Sequence, residues 1–156
     1  MKKVLIIFLA VAFTAVTAGQ LIDLSGNWEL NVSKSKLNNQ FSIAPKSCKI
    51  SQTDSELTLD KKFDFQGQEM TITEKFNLDG SESSNPGIME SVKKSKVEIS
   101  EDQKSIKITS KVTTNDGGEI NSVEQYSIDS DNLTYQITSS SSIFGEMSET
   151  AVYDKK

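Results

Sequence analysis

Four charged residues interrupt alternations that are otherwise apolar. Glu74 has the same parity as its neighbours in Met70-Ile72-Glu74-Phe76-Leu78, and Glu124 does so in Ile120-Ser122-Glu124-Tyr126-Ile128. Glu149 lies between Met147 and Ala151, and Lys61 between Leu59 and Phe63. Alternate residues of a strand share a face, so these charges share the face that the apolar residues bury. An inward carboxylate is costly unless it is paired or wet. Two arrangements satisfy that condition. In one, Lys61, Glu74, Glu124 and Glu149 are polar anchors in a ligand pocket walled by Phe63, Phe65, Phe76, Tyr126, Tyr135 and Tyr153. In the other, the charges pair with each other in a filled interior or sit at a solvated mouth. Two inward carboxylates are also the minimum equipment for glycoside hydrolysis. Nothing else in the chain assists that chemistry, since a single tryptophan provides no sugar platform.

Residue supply excludes other reactions. Without histidine there is no Ser-His-Asp triad, no histidine-type zinc site and no histidine-ligated haem. Cys48 has no basic partner and, as the only cysteine, no internal disulfide; its alternation with Ile50 predicts burial. There is no Walker-type or dinucleotide glycine loop. "DSDN" at 129–132 resembles the start of a calcium loop but lacks the following glycine and the distal glutamate, and it reads as a hairpin turn. No metal, no cofactor and no enzymatic activity are expected.

Residues 1–18 read as a secretory signal, with Lys2 and Lys3, an apolar run from Val4 to Val16, and small residues before a cut after Ala18. The run is short for a bilayer span, so no stable membrane insertion is expected after cleavage. The expected domain is 19–156, secreted or periplasmic. Removal of the leader takes two of 17 lysines and none of 22 acids, so the remaining 138 residues carry a net charge of -7. Such a chain is repelled by nucleic acid and by anionic membranes. The run holding Lys93, Lys94 and Lys96 reads as a solvated strand face.

What must position these residues is a set of strands. From Gly26 onward the hydrophobic period is two, in about nine runs. Turn chemistry separates them at 66–68, 78–81, 115–118 and 129–132. "SKSKLNNQF" (33–41) is the one place for a helical turn, and "SESSNPGIME" (81–90) reads as a polar surface loop, a lid or a contact surface. An internal repeat is present. Leu57 and Leu59 match Ile106 and Ile108 at an offset of 49, and Glu74, Phe76 and Leu78 match Glu124, Tyr126 and Ile128 at an offset of 50. Each unit reads as three strands. The fold class is all-β, a single up-and-down antiparallel barrel of about 8–10 strands, which removes exposed edges.

"Gly26-Asn27-Trp28" has the G-x-W form of the first strand of lipocalins. Together with "SGNWELNVSKSK", "FNLDG" and "ETAVYDKK", the mature chain resembles lipocalins, and more closely the small secreted bacterial proteins described as lipocalin-like domains. The resemblance implies a non-enzymatic binding protein that holds a small apolar or amphipathic ligand. It also implies structural roles for Gly26, which lets the chain turn tightly, and Trp28, which plugs the closed end. Lipocalins pack an arginine over that tryptophan. This chain has none, so a lysine such as Lys155 is the available substitute. The alternative is a protein-interaction module with a filled barrel. Lipocalin-like protease inhibitors are one example, although they carry a disulfide that Cys48 alone cannot form.

Overall fold

Apolar alternation becomes strand along the whole domain in the computed structural model, which describes residues 20–38, 41–65, 67–142 and 145–156. The leader expected at 1–18 lies outside the described residues. Ten strands follow in order: β1 (Gly26–Leu30), β2 (Ser47–Gln52), β3 (Glu56–Phe65), β4 (Gln68–Asn77), β5 (Ser83–Pro86), β6 (Val92–Ile99), β7 (Ser105–Thr113), β8 (Glu119–Asp129), β9 (Asn132–Ser141) and β10 (Gly145–Lys155). They form one antiparallel sheet in the order β4-β3-β2-β1-β10-β9-β8-β7-β6-β5, wrapped into a nearly closed barrel. Among the described residues the one ladder between strands distant in sequence joins β1 to β10, with Trp28 opposite Lys155 and Leu30 opposite Tyr153. The helical turn is a single 3-10 turn at Val32–Lys34.

The repeat fixes the register. In the first hairpin Leu59 faces Glu74 and Leu57 faces Phe76. In the second, Ile108 faces Glu124 and Ile106 faces Tyr126. The same pairs meet in both units, and the extra residue falls in the second turn. Inward positions are buried and outward ones are not. Along β7, Ile106, Ile108, Ser110 and Val112 are buried, while Thr109, Lys111 and Thr113 are exposed.

Segment 81–90 is not wholly a loop. Its centre, "SSNP", is β5, paired along β6, and a 3-10 turn at Ile88–Glu90 follows. This corrects the loop expectation. β4 and β5 are the two ends of the sheet, and side chains join them instead of a backbone ladder. The Lys75 amide donates to Asn85 Oδ1 (2.7 Å) and Asn85 Nδ2 donates to the Lys75 carbonyl (2.9 Å). The Asn77 amide donates to Ser83 Oγ (2.8 Å). A carboxamide carries the donor and acceptor of a peptide group, so Asn85 replaces one rung of the missing ladder. Both side chains are buried.

One end of the barrel is plugged. Trp28 is 2% exposed, and its indole N–H donates to the Leu24 carbonyl at 2.9 Å. The Lys155 ammonium stands 5.4 Å from the indole ring centre, within cation–π range. Gly26 has φ +152°, and a Cβ there would come within 3.1 Å of Lys155 Cε and 3.3 Å of the indole nitrogen. Only glycine fits both requirements.

Candidate functional site

The inward charges meet midway along the barrel. Lys61 on β3 contacts Glu74 (2.8 Å) on β4 and Glu124 (2.5 Å) on β8. A second lysine, Lys93 on β6, contacts the same two carboxylates at 2.7 and 2.8 Å. The Tyr126 hydroxyl donates to Glu124 at 2.7 Å. Two lysines and two glutamates thus form a ring with no net charge and almost no solvent contact. Both oxygens of each carboxylate are engaged by these contacts. Lys93 corrects the expectation of a solvated face: it points inward beside Phe76, while Lys94 and Lys96 are exposed. The repeat explains why both lysines are needed. At the offset of 49, Lys61 corresponds to Ser110, which bonds Ser95 instead (2.8 Å).

Below the ring the interior is filled. Tyr126 and Tyr135 stack with ring centres 5.0 Å apart, Tyr135 and Tyr153 meet edge-on at 6.5 Å, and the Lys61 ammonium lies 5.7 Å from the Tyr135 ring. The void among Cys48, Lys61 and these rings is about 10 Å³, hardly room for one water. Cys48 is buried, and burial pushes its thiol up to about 12.

Glu149 stands apart from the ring. It is 3% exposed and accepts from the Asn38 (2.7 Å), Ile43 (3.0 Å) and Ala44 (3.1 Å) amides and from the Ser42 hydroxyl (3.1 Å). All four donors belong to the β1–β2 connector. That connector is also tied to Thr150 through Lys36, and the Tyr153 hydroxyl donates to the Pro45 carbonyl (2.8 Å). Its described parts, 31–38 and 41–46, are therefore tied down as a strap at the open end.

Above the ring, between strap and hairpin ends, lies a cup of about 780 Å³. Its apolar lining is Phe63, Met70, Ile72, Ile120 and Met147 from the strands, Phe41 and Ile43 from the strap, and Ile88 from the β5–β6 connection. Asn38, Ser42, Ser139 and Glu146 complete it. Phe41, Met70 and Ile88 are 50%, 44% and 42% exposed, so apolar surface faces solvent around the mouth. Of the residues expected to line a pocket, Phe63 lines the cup. Lys61, Glu74, Phe76, Glu124, Tyr126, Tyr135 and Tyr153 pack beneath it, Glu149 holds the strap, and the Phe65 side chain lies outside the described residues. A polar hollow on the outer face, lined by Lys94, Lys96, Glu98 and Lys111, is solvated strand surface.

The ring makes stability depend on pH at both extremes. Burial alone would raise the Glu124 carboxyl, but the Lys61 and Lys93 ammoniums outweigh it and hold the group well below the usual carboxylate range. Glu74 is lowered by the same balance of burial against Lys61. Burial opposes the charge on Lys61, yet the adjacent carboxylates raise its pKa. Burial raises Tyr126, Tyr135 and Tyr153. Lowered carboxyls give stability that is present above the unfolded value of about 4.3 and lost as pH falls below it. Raised lysine, tyrosine and cysteine give stability that is present below their unfolded values and lost as pH rises through about 8.5–10.5 and beyond. With no histidine, the urea midpoint is expected to be flat from about pH 5 to 8 and to fall on either side. A titration step near neutrality would contradict this assignment.

The chain matches no protein-family model and no curated protein.

Proposed function

We propose that the protein is a non-enzymatic, lipocalin-like binding protein, secreted or periplasmic, that holds a small apolar or amphipathic molecule in the cup at the open end of its barrel. The observation that carries this reading is the cup itself. About 780 Å³ of apolar-lined space is within the range of small-molecule sites, and it opens to solvent above a sealed floor. A tryptophan-plugged closed end, a strap over the open end and a lysine in the arginine position support the lipocalin likeness. The outward faces, such as Lys62 and Asp64 on β3 and Thr109 and Lys111 on β7, are polar, the reverse of a membrane barrel's apolar band. The filled lower interior is what a protein-interaction module would show. It remains the second reading, with Phe41, Met70 and Ile88 as its contact patch.

The test is binding of the apolar fluorophore N-phenylnaphthylamine. It is expected to bind one site, and Met70→Glu, which puts a charge into the cup, is expected to weaken it about tenfold or more. Val123→Glu on the outer face of β8, at a similarly exposed position, serves as control and should leave binding unchanged. Absence of saturable binding, with native mass spectrometry showing a bare chain, would favour the interaction module.

A further inference from the structure

Resting on that reading, we infer that the cup selects amphiphiles with a positively charged head, such as alkylammonium compounds, and discriminates against fatty acids. An apolar cup can take many chains; the charges at its floor and rim decide which head it accepts. An inward lysine is the usual device for holding a ligand carboxylate. Both inward lysines here are already committed. Lys61 and Lys93 each contact two carboxylates at 2.8 Å or less, and the ring they form is neutral. The floor therefore offers an acid no free cation.

The rim offers the opposite charge. Glu146 is the one charged residue lining the cup among the described residues, and it has no ion-pair partner among them. On the same end of the barrel the β3–β4 and β7–β8 hairpins carry Glu69 and Asp116, which also lack lysine partners among the described residues. Lys46 contacts Asp64 at 3.4 Å and Lys111 contacts Glu119 at 2.5 Å, while Lys36, the strap lysine without an ion-pair partner among the described residues, does not line the cup. Among the described residues a carboxylate head in the cup meets the like charge of Glu146 and no lining cation. An ammonium head meets Glu146, while its chain occupies the space between Ile72 and Met147. The acid surplus also draws cations toward the opening at low salt.

The experiment displaces N-phenylnaphthylamine with dodecylammonium, dodecanol and dodecanoate, each below its micelle concentration. Dodecylammonium is expected to displace the probe at about one tenth the concentration dodecanoate needs, with dodecanol between them, and added salt should narrow the gap. Glu146→Gln should shrink the ratio and Glu146→Lys should reverse it. The thermal midpoint should stay as it is, because the residue is exposed, and the dodecylammonium-to-dodecanoate ratio is read within each variant, so that any change in probe affinity cancels. Equal or tighter binding of dodecanoate by the unmodified protein overturns the charge preference and leaves the cup reading standing. A ratio that survives both substitutions overturns the role of Glu146. Failure of the probe itself to bind removes the cup reading, and this inference with it.

Discussion

Lys61→Met is expected to lower the unfolding free energy at pH 7 by about 3–5 kcal/mol, the usual cost of leaving a buried charge without its partner. The substitution keeps the side-chain volume and apolar stem but leaves Glu74 and Glu124 sharing Lys93 alone. Two carboxylates beside one ammonium cannot both stay ionised at low cost, so one carboxyl of the pair rises above its unfolded value. A raised carboxyl gives stability that is lost as pH climbs through it. The variant should therefore be less damaged at pH 5 than at pH 8, a dependence the parent lacks in that range. The double variant Lys61→Met/Glu124→Gln restores charge balance, because the Lys93–Glu74 pair remains. It should recover much of the loss, with a coupling that a packing defect does not give. Urea unfolding followed by Trp28 fluorescence measures both. A cost under about 1 kcal/mol that does not vary with pH would mean the ring contributes little to the fold.

Asn85→Leu is expected to cost about 2–4 kcal/mol, because it orphans the amide and the carbonyl of Lys75 at a buried seam. Leucine is close in size and more apolar, so area alone argues for a gain. The unsatisfied backbone pair decides the sign. Loss should be local as well as global. Amide exchange at Lys75 and Asn77 is expected to quicken about tenfold or more, while amides in the β8–β9 hairpin keep the rate set by global unfolding. A free β4 edge also invites strand addition from another molecule, so the variant should aggregate more readily on heating. Unchanged exchange at Lys75 would show that the seam is held by something other than Asn85.

Both residues show where the sequence is legible and where it is not. Alternation revealed most of the strands, and the repeat set their register, since Leu59–Glu74 and Ile108–Glu124 are the same pair twice. Inward parity revealed Lys61, Glu74 and Glu124 as buried charges before their partners were known. Lys93 was hidden by its setting. In "KKSKV" every neighbour looks solvated, although Lys93, Ser95 and Val97 are inward at period two. β5 was missed because Ser83-Ser84-Asn85-Pro86 has no apolar residue; it is a strand by virtue of its pairing to β6 and its side-chain bonds to β4. The cup drew Phe41, Ile43 and Ile88 from connectors, where no period operates. Its existence depends on how far the interior fills, which is a matter of side-chain volumes in three dimensions rather than pattern along the chain.

The side-chain seam has a consequence for topology. Following the sheet from β5 through β6, β7, β8, β9, β10, β1, β2 and β3 to β4, every step but one is a hairpin between consecutive strands. The exception is the β1–β10 ladder, where Asn27 accepts from the Lys156 amide. A circular permutant that links the end of β10 to β1 and opens the chain between β4 and β5 would convert the barrel into a plain ten-strand meander. Its chain order would be its spatial order, and no ladder would need a closure spanning the domain. The domain-spanning closure moves to the side-chain seam between β4 and β5, so every backbone ladder is local and the sheet could zip from any one hairpin before the seam closes.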